Sequence, residues 1–439
     1  MIIPNRKYKI LKKLSDYEIK SMMPKILMCW KKARNYYVWD SFNKKLIDFT
    51  STIFVSNIGH ANKRVSKRVK KTLDSPISHS YNYYNLQRYE YSKSLIKFIN
   101  NKKLNKCYLL SSGTESTEAA LKLMRLNGLR SKLSKNKIGI ISLKGNWHGR
   151  TMGSQMMSGK NNQSKWIGFH DKNIYHLEFP YPWKTDEINA EDFFNKSLIN
   201  CFGKNFNYKK KISGIILEAL QGWGAFFYPL NYIKALKKFC KKNNILITID
   251  EMQSGFGRTG YKFLYEYYNL NPDIMCCGKA MGSGFPLSGV ISNSKIMNIP
   301  KIGDMSSTHS ANPIVCSAGL ATLEEIKSKK LIIRSKKLGK LLEKELYKIK
   351  ELFTELISIV NCKGLIAAII FRNYKNKTGT ELANLLTIEC YKQGLLLVNT
   401  GRESVKLGPP LVITKSSLLK ATQIIHNSIK KIKFLLKNS

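Results

Sequence analysis

"ITIDEMQSGFGRTG", Ile247–Gly260, is an apolar run that stops on two adjacent acids and passes into a loop with three glycines. Nearly continuous apolar character reads as a strand covered on both faces, and the acids mark its C-terminal end. In sheets of such strands, ligands sit beyond the C-terminal ends. Asp250 is therefore a candidate for holding a ligand, although acids at strand ends also cap helices.

The same texture extends to either side. Cys107–Leu110, Ile138–Leu143, Ile212–Leu217, Ile245–Ile249 and Ile274–Cys277 read as buried strands, with helices between them including Ser116–Arg130 and Leu230–Lys241. Strands alternating with helices predict an α/β domain with a mostly parallel sheet and helices on both faces. Beyond about residue 325 the pattern changes to a long amphipathic helical stretch, Leu323–Phe353, then short strands around Leu365–Phe371 and Leu395–Val398, and a final helix near Ser416–Leu435. That predicts a smaller α+β domain. "YYVWDSFNKKLIDFT", Tyr36–Thr50, reads as a hairpin that packs with it. The expected organisation is an N-terminal segment 1–51, a large domain 52–325 and a small domain 326–439.

The 439 residues include 43% hydrophobic residues, enough for a sizeable core. No apolar run is long enough to cross a bilayer, and the N-terminal "MIIPNRKYKILKKLSDYEIK" lacks the apolar core and small-residue cleavage site of a secretory leader. Nine scattered cysteines without a CxxC pair point to a reduced, cytoplasmic chain and away from a disulfide framework. The net charge of +45, from 74 basic and 29 acidic residues, is extreme. It raises binding to nucleic acid or a membrane surface. Yet the basic residues are spread along the chain, with no zinc-finger spacing, RNA-binding aromatic motif or basic arm. A surface drifted toward lysine accounts for the charge more simply.

Three further constellations carry chemistry. In "CGKAMGSGFPLSG", Lys279 follows a strand end among glycines, and a desolvated lysine amine can form a Schiff base with a carbonyl cofactor. In "LLSSGTESTEAALKLMR", a strand runs through Ser111–Thr114 into a helix, whose N-terminus offers free N–H groups to a phosphate. In "GNWHGRTMGS", Trp147 offers a flat face to a ring, and Arg150 a two-pronged fork to a carboxylate. Each has a plainer reading: a surface lysine, a capped turn, a core tryptophan and a surface arginine.

Together and in this order they resemble the class-III aminotransferases, pyridoxal-phosphate enzymes of fold type I, from about residue 36 to 430. "DEMQSGFGRTG", "GKAMGSGFPLSG" and "SSTHSANPIVCSAGLATLE" carry the resemblance. It implies that Lys279 holds pyridoxal phosphate as an internal aldimine and later moves the proton. It implies that Asp250 pairs with the pyridine nitrogen, keeping the ring an electron sink. By the same matching, Gln253 stands beside the ring hydroxyl oxygen, and Gly113 and Thr114 cradle the phosphate. Thr308 reaches the cofactor phosphate of the neighbouring subunit, which implies a homodimer with shared active sites. Trp147 stands where relatives stack a tyrosine or phenylalanine on the ring, and Glu218 matches a glutamate near the site, followed here by alanine where proline is usual.

For the substrate, the resemblance implies that Arg150 grips a carboxylate. Relatives that use 2-oxoglutarate often pair a glutamate after the "QG" motif with an arginine before "PPL". Here Trp223 and Lys406 stand in those places, so this glutamate gate is absent, and Trp223, Phe226 and Phe227 imply an aromatic-walled pocket or an aromatic subunit interface. The implied reaction moves an amino group from an amine or ω-amino acid to a keto acid, 2-oxoglutarate or pyruvate. An aminomutase, racemase or decarboxylase of the same family stays open, as does a basic nucleic-acid-binding protein on this fold.

Overall fold

In a computed structural model, residues 16–22, 26 and 28–438 are described. The reading of the N-terminal stretch falls largely on residues 1–15, outside the described residues. The chain forms two compact units, Met1–Asn62 with Lys336–Ser439, and Lys63–Ser335. The second division falls inside a helix, Leu331–Leu352, where composition gives no signal of a boundary.

In the first unit, β1 (Trp30–Arg34), β2 (Tyr37–Asp40) and β3 (Lys45–Asp48) form an antiparallel meander. The hairpin of β2 and β3 is the one read from Tyr36–Thr50. The alternation of Tyr37, Trp39 and Lys45 with Val38 and Leu46 puts the two aliphatic side chains into a small core with Tyr391 and Leu396.

The second unit is built on seven strands: β4 (Lys106–Leu110), β5 (Gly139–Leu143), β6 (Ile174–Leu177), β7 (Ile212–Glu218), β8 (Leu246–Asp250), β9 (Ile274–Cys277) and β10 (Ser288–Ser292). Their order is β4-β10-β9-β8-β7-β5-β6. Only β10 runs against its neighbours; every other pairing is parallel. The five strands expected from the sequence are all present. The two not expected are β6, only four residues long, and β10, whose "SGVIS" lacks the apolar run of its neighbours. All seven residues of β7 are buried, as its apolar run requires. The helix Gly113–Leu129 crosses β7, β9 and β10, and Ala120, Leu123 and Met124 on its inner face join Ile216, Ile274 and Val290 in the core. The chain leaves β5 for β6 on one side and returns to β7 on the other. The switch point of the sheet therefore lies between β5 and β7, the place where sheets of this kind bind ligands.

The remaining strands belong to the first unit: β11 (Ile357–Lys363), β12 (Ile366–Phe371), β13 (Leu395–Leu396), β14 (Val398–Asn399) and β15 (Ser404–Leu407). They form the sheet β11-β12-β15-β14, while β13 adds in parallel to β3. Leu395–Val398, read as one strand, thus divides between two sheets. The stretch Leu323–Phe353, read as one helix, belongs to two, Pro313–Ser328 and Leu331–Leu352. Lys330 between them takes φ +49°, a left-handed conformation that an α-helix cannot continue through. The amphipathic spacing carries across this break and hides it from a reading by periodicity.

Gly128 tests how tightly the long helix seats on the sheet. A Cβ there would lie 1.8 Å from the carbonyl oxygen of Lys137 and 2.7 Å from Ser213 Cβ. Alanine would favour the helix by about 1 kcal/mol through propensity. The clash is with backbone, and overpacking costs about 1–3 kcal/mol. Gly128→Ala is expected to lower stability despite the better helix former, read as an earlier denaturant midpoint at unchanged slope.

Candidate active site

Parallel pairing sets Glu218 beside Asp250, and Asp250 beside Cys276, so three strand ends deliver two carboxylates and the segment leading to Lys279. Asp250 and Glu218 are both buried. Asp250 Oδ1 accepts the N–H of Met252 at 3.0 Å, and Oδ2 lies 2.9 Å from His148 Nδ1. Glu218 Oε2 accepts the backbone N–H groups of Trp147 at 2.9 Å and Gly222 at 3.3 Å, while Oε1 accepts from Gln253 Nε2 at 3.1 Å. Burial pushes the Glu218 carboxyl above its ordinary pKa, and the nearby Asp250 charge adds to the rise.

The second acid of the opening motif has a different task. Glu251 is buried and accepts the N–H of Tyr265 at 2.8 Å and a hydrogen bond from Ser254, and so ties the glycine loop to the short turn Leu264–Glu266. Burial pushes its carboxyl up to about 7. One neighbour lies at the strand end, and the other holds the loop.

Lys279 begins a short 3-10 turn just after β9 and takes φ +46°, a strained backbone for a non-glycine residue. Burial lowers its amine below the ordinary lysine pKa, and this outweighs the opposing pull of Asp250 and Glu218. A lysine amine whose pKa is lowered by desolvation, near two carboxylates, is suited to attack a carbonyl and to carry a proton.

At the end of β4, Ser112 caps the helix Gly113–Leu129. Its hydroxyl accepts from Glu115 N, and the Glu115 carboxylate accepts from Ser112 N, a reciprocal capping box. The N–H groups of Gly113 and Thr114 stay clear of that box, at the positive end of the helix dipole. A Cβ on Gly113 would come 3.0 Å from Met252 Sδ, and one on Gly278 would come 2.8 Å from the same atom. Two side-chain-free positions thus flank Met252 just behind Asp250.

Trp147 is half-buried, with the Arg150 guanidinium 4.5 Å and the Lys160 ammonium 4.8 Å from its ring centre. These cations stack on the indole, which also orients Arg150. Thr308 stands apart from these residues. Its side chain is exposed, its carbonyl accepts from His79 Nε2 at 2.7 Å, and its neighbour Ser307 donates to Glu115 at the helix cap.

His148 and Gln221 had no place among the residues singled out from sequence. His148 meets Asp250 directly, and Gln221 lies fully buried beside it in the same network. Position alone could have flagged His148, since it lies between Trp147 and Arg150. Trp223, expected in an aromatic-walled pocket or a subunit interface, packs among aromatic side chains of its own unit. It is buried in an aromatic box with Tyr181, Trp183 and Phe226, and its indole N–H is given to Gln221 Oε1 at 2.8 Å. Lys406, in the other unit, is buried on β15 with its ammonium 5.0 Å from the Phe54 ring.

The residues present suit pyridoxal phosphate: a desolvated lysine for the aldehyde, a buried carboxylate for a protonated ring nitrogen, an aromatic face, and a helix N-terminus with adjoining glycines for the phosphate. That cofactor supplies an electron sink and an amino-group carrier.

Residues 19–429 match the model of the family described as aminotransferase class-III. The mitochondrial acetylornithine aminotransferase of Candida glabrata is 31% identical over 415 residues, covering 92% of this chain and 91% of that protein. Ornithine aminotransferase 1 of Staphylococcus aureus is 31% identical over 410 residues, covering 92% and 95%. The crystal structure of acetylornithine aminotransferase from Elizabethkingia anophelis superposes with a TM-score of 0.80 at 28% identity, covering 98% of this chain and all of that one. With the family match over nearly its whole length and relatives at 31% identity, this chain belongs to the class-III aminotransferases, enzymes that use pyridoxal phosphate to move an amino group to a keto acid.

Proposed function

We propose that the unit Lys63–Ser335 binds pyridoxal phosphate through Lys279, Asp250, Gln253, Trp147, Gly113 and Thr114, and that the substrate is an ω-amino acid of the ornithine or acetylornithine kind. The observation that carries this reading is Lys279, with its strained backbone just past the end of β9, next to two buried carboxylates at adjacent strand ends. The donor class rests on the relatives, which are named as acetylornithine and ornithine aminotransferases. In this reading Lys279 takes the cofactor aldehyde and later moves the substrate proton. Asp250 holds the proton on the ring nitrogen, and Glu218 holds Gln253 and the Trp147 backbone in place. A panel of ω-amines and ω-amino acids mixed with the holoenzyme, followed by loss of its visible absorbance, tests the donor class.

Arg150 is the carboxylate grip in this proposal, held ready on the Trp147 ring. Lys406 is a point charge without a guanidinium fork, and Trp223 is fixed in its box, so neither supports a gate selective for a dicarboxylate. A small keto acid such as pyruvate would therefore compete with 2-oxoglutarate as acceptor.

We also propose a homodimer in a reducing, cytoplasmic setting. Ile77, Tyr81, Tyr83, Tyr84, Leu86 and Tyr89 are exposed along one segment, which reaches the Thr308 loop through His79. A run of exposed aromatic residues of this size suits a subunit interface. Thr308 beside it would then reach the partner's cofactor phosphate. All nine cysteines are free thiols, as a reducing compartment favours. Among the described residues no helix is long and apolar enough to cross a membrane.

Borohydride treatment of the yellow holoenzyme is expected to fix the cofactor on Lys279, located by peptide mass. Lys279→Ala should abolish turnover, and Asp250→Asn should slow the proton-transfer step by several orders of magnitude while weakening cofactor binding less; near-normal turnover of Asp250→Asn would assign the ring nitrogen to another group. Arg150→Lys, which keeps the charge but loses the two-pronged fork, is expected to lower kcat/KM for carboxylate-bearing donors only. Equal loss for uncharged amines, or a strong preference for 2-oxoglutarate over pyruvate, would remove Arg150 and the missing gate from the account. For assembly, wild type should sediment as a dimer and Tyr84→Lys with Leu86→Lys should shift it toward monomer, with turnover falling in step if the site is shared.

A further inference from the structure

The box around Trp223 is connected to Asp250 by an unbroken line of buried hydrogen bonds. Trp223 Nε1 lies 2.8 Å from Gln221 Oε1, and the Tyr181 hydroxyl donates to the same oxygen. Gln221 Nε2 reaches Lys144 O at 2.9 Å and Asn146 Oδ1 at 3.3 Å. Asn146 Nδ2 lies 3.3 Å from His148 Nε2, and His148 Nδ1 lies 2.9 Å from Asp250 Oδ2. Gln221, Asn146, His148 and Asp250 are all buried, Gln221 and Asn146 completely.

An indole N–H can only donate. With a donor at one end, and the Lys144 carbonyl, which can only accept, on Gln221 Nε2, each later group has a single sense. Gln221 must turn its oxygen toward Trp223 and its amide N–H groups toward Asn146. Asn146 must then accept with Oδ1 and donate with Nδ2. His148 Nε2 must accept, which leaves the ring proton on Nδ1, facing Asp250.

We propose that Trp223 is a positioning residue whose indole N–H, through Gln221 and Asn146, sets the tautomer of His148 so that the imidazole donates to Asp250 without bringing a positive charge. The physical consequence concerns Asp250. An imidazolium at 2.9 Å would pair with the carboxylate and neutralise it there. A neutral imidazole orients the carboxylate and leaves the charge for a cationic ring nitrogen. This proposal rests on the role of Asp250 in the functional reading above. One contact opposes it. Ser142 Oγ lies 3.5 Å from His148 Nε2 and gives its own proton to Met157 O at 2.5 Å, so it could only accept from Nε2. The Asn146 contact is shorter, and the line of donors leading to it decides the sense.

The test is 15N NMR of histidine-labelled protein without cofactor, with the His148 signals identified by their absence in His148→Gln. The expected result is a protonated Nδ1 and an unprotonated Nε2. Trp223→Phe combined with Tyr181→Phe removes both donors to Gln221 while keeping the rings. In that protein the Nε2 signal is expected to move toward the protonated value, and holoenzyme turnover to fall about tenfold, as when the outer partner of a site histidine is lost. Tyr181→Phe alone keeps the indole N–H and should retain the wild-type ring signals. A protonated Nε2 in the wild type, or unchanged signals in the double variant, would overturn the proposal. The wild-type spectrum decides even if the double variant fails to fold. Because the cofactor is absent, failure here is distinguishable from failure of the amino-transfer reading.

Discussion

Two carboxylates side by side at the buried ends of β7 and β8 are the constraint around which the large unit is organised. Adjacent strands lie about 4.8 Å apart, and like charges at such a spacing in a low-dielectric setting repel strongly. Glu218 and Asp250 tolerate it because each is met by donors. Two backbone N–H groups and the Gln253 amide serve Glu218, and Met252 N and His148 serve Asp250. Those donors come from the loops after β5, β7 and β8. The charge at the strand ends therefore dictates the course of three loops, and with them the positions of Trp147, Gln253 and Gly222.

Lys279 completes this electrostatic set at a cost in local strain. Its left-handed backbone and the desolvation of its amine are both unfavourable to folding. Such features persist where the surroundings over-determine them. Here β9 is fully buried, and β10 runs back beside it to hold the turn between them. A residue that destabilises the fold while lying beside two buried acids belongs to chemistry more than to packing.

The large positive charge has no counterpart in this machinery. The groups that organise these strand ends are acids, amides and one imidazole, with Lys160 stacked on Trp147. Arg64, Arg68 and Lys329 pair with Glu324 and Glu325 on one helix, and Lys392 and Lys431 share Glu389. In these pairs the basic groups are exposed or half-exposed, while Glu325 and Glu389 are buried.

Reading the sequence alone was enough for the features that depend on local pattern. The five buried strands announce themselves because strands covered on both faces must be apolar throughout, and Asp250 and Lys279 stand out as charged residues at the ends of such runs. The hairpin Tyr36–Thr50 is legible from its alternation. The tertiary structure decided everything that depends on which strands are neighbours. β10 hides in "SGVIS" because its burial comes from β4 and β9 on either side, and the break at Lys330 hides because amphipathic spacing passes through it. His148 lies 102 positions from Asp250, and Gln221 lies 75 from Asn146. Trp223, one residue in an aromatic-rich loop, acquires its place only when Tyr181, Gln221 and Phe226 close around it. A sequence displays charge and periodicity, but a hydrogen bond needs a partner at about 3 Å, and only the folded sheet brings such distant residues that close.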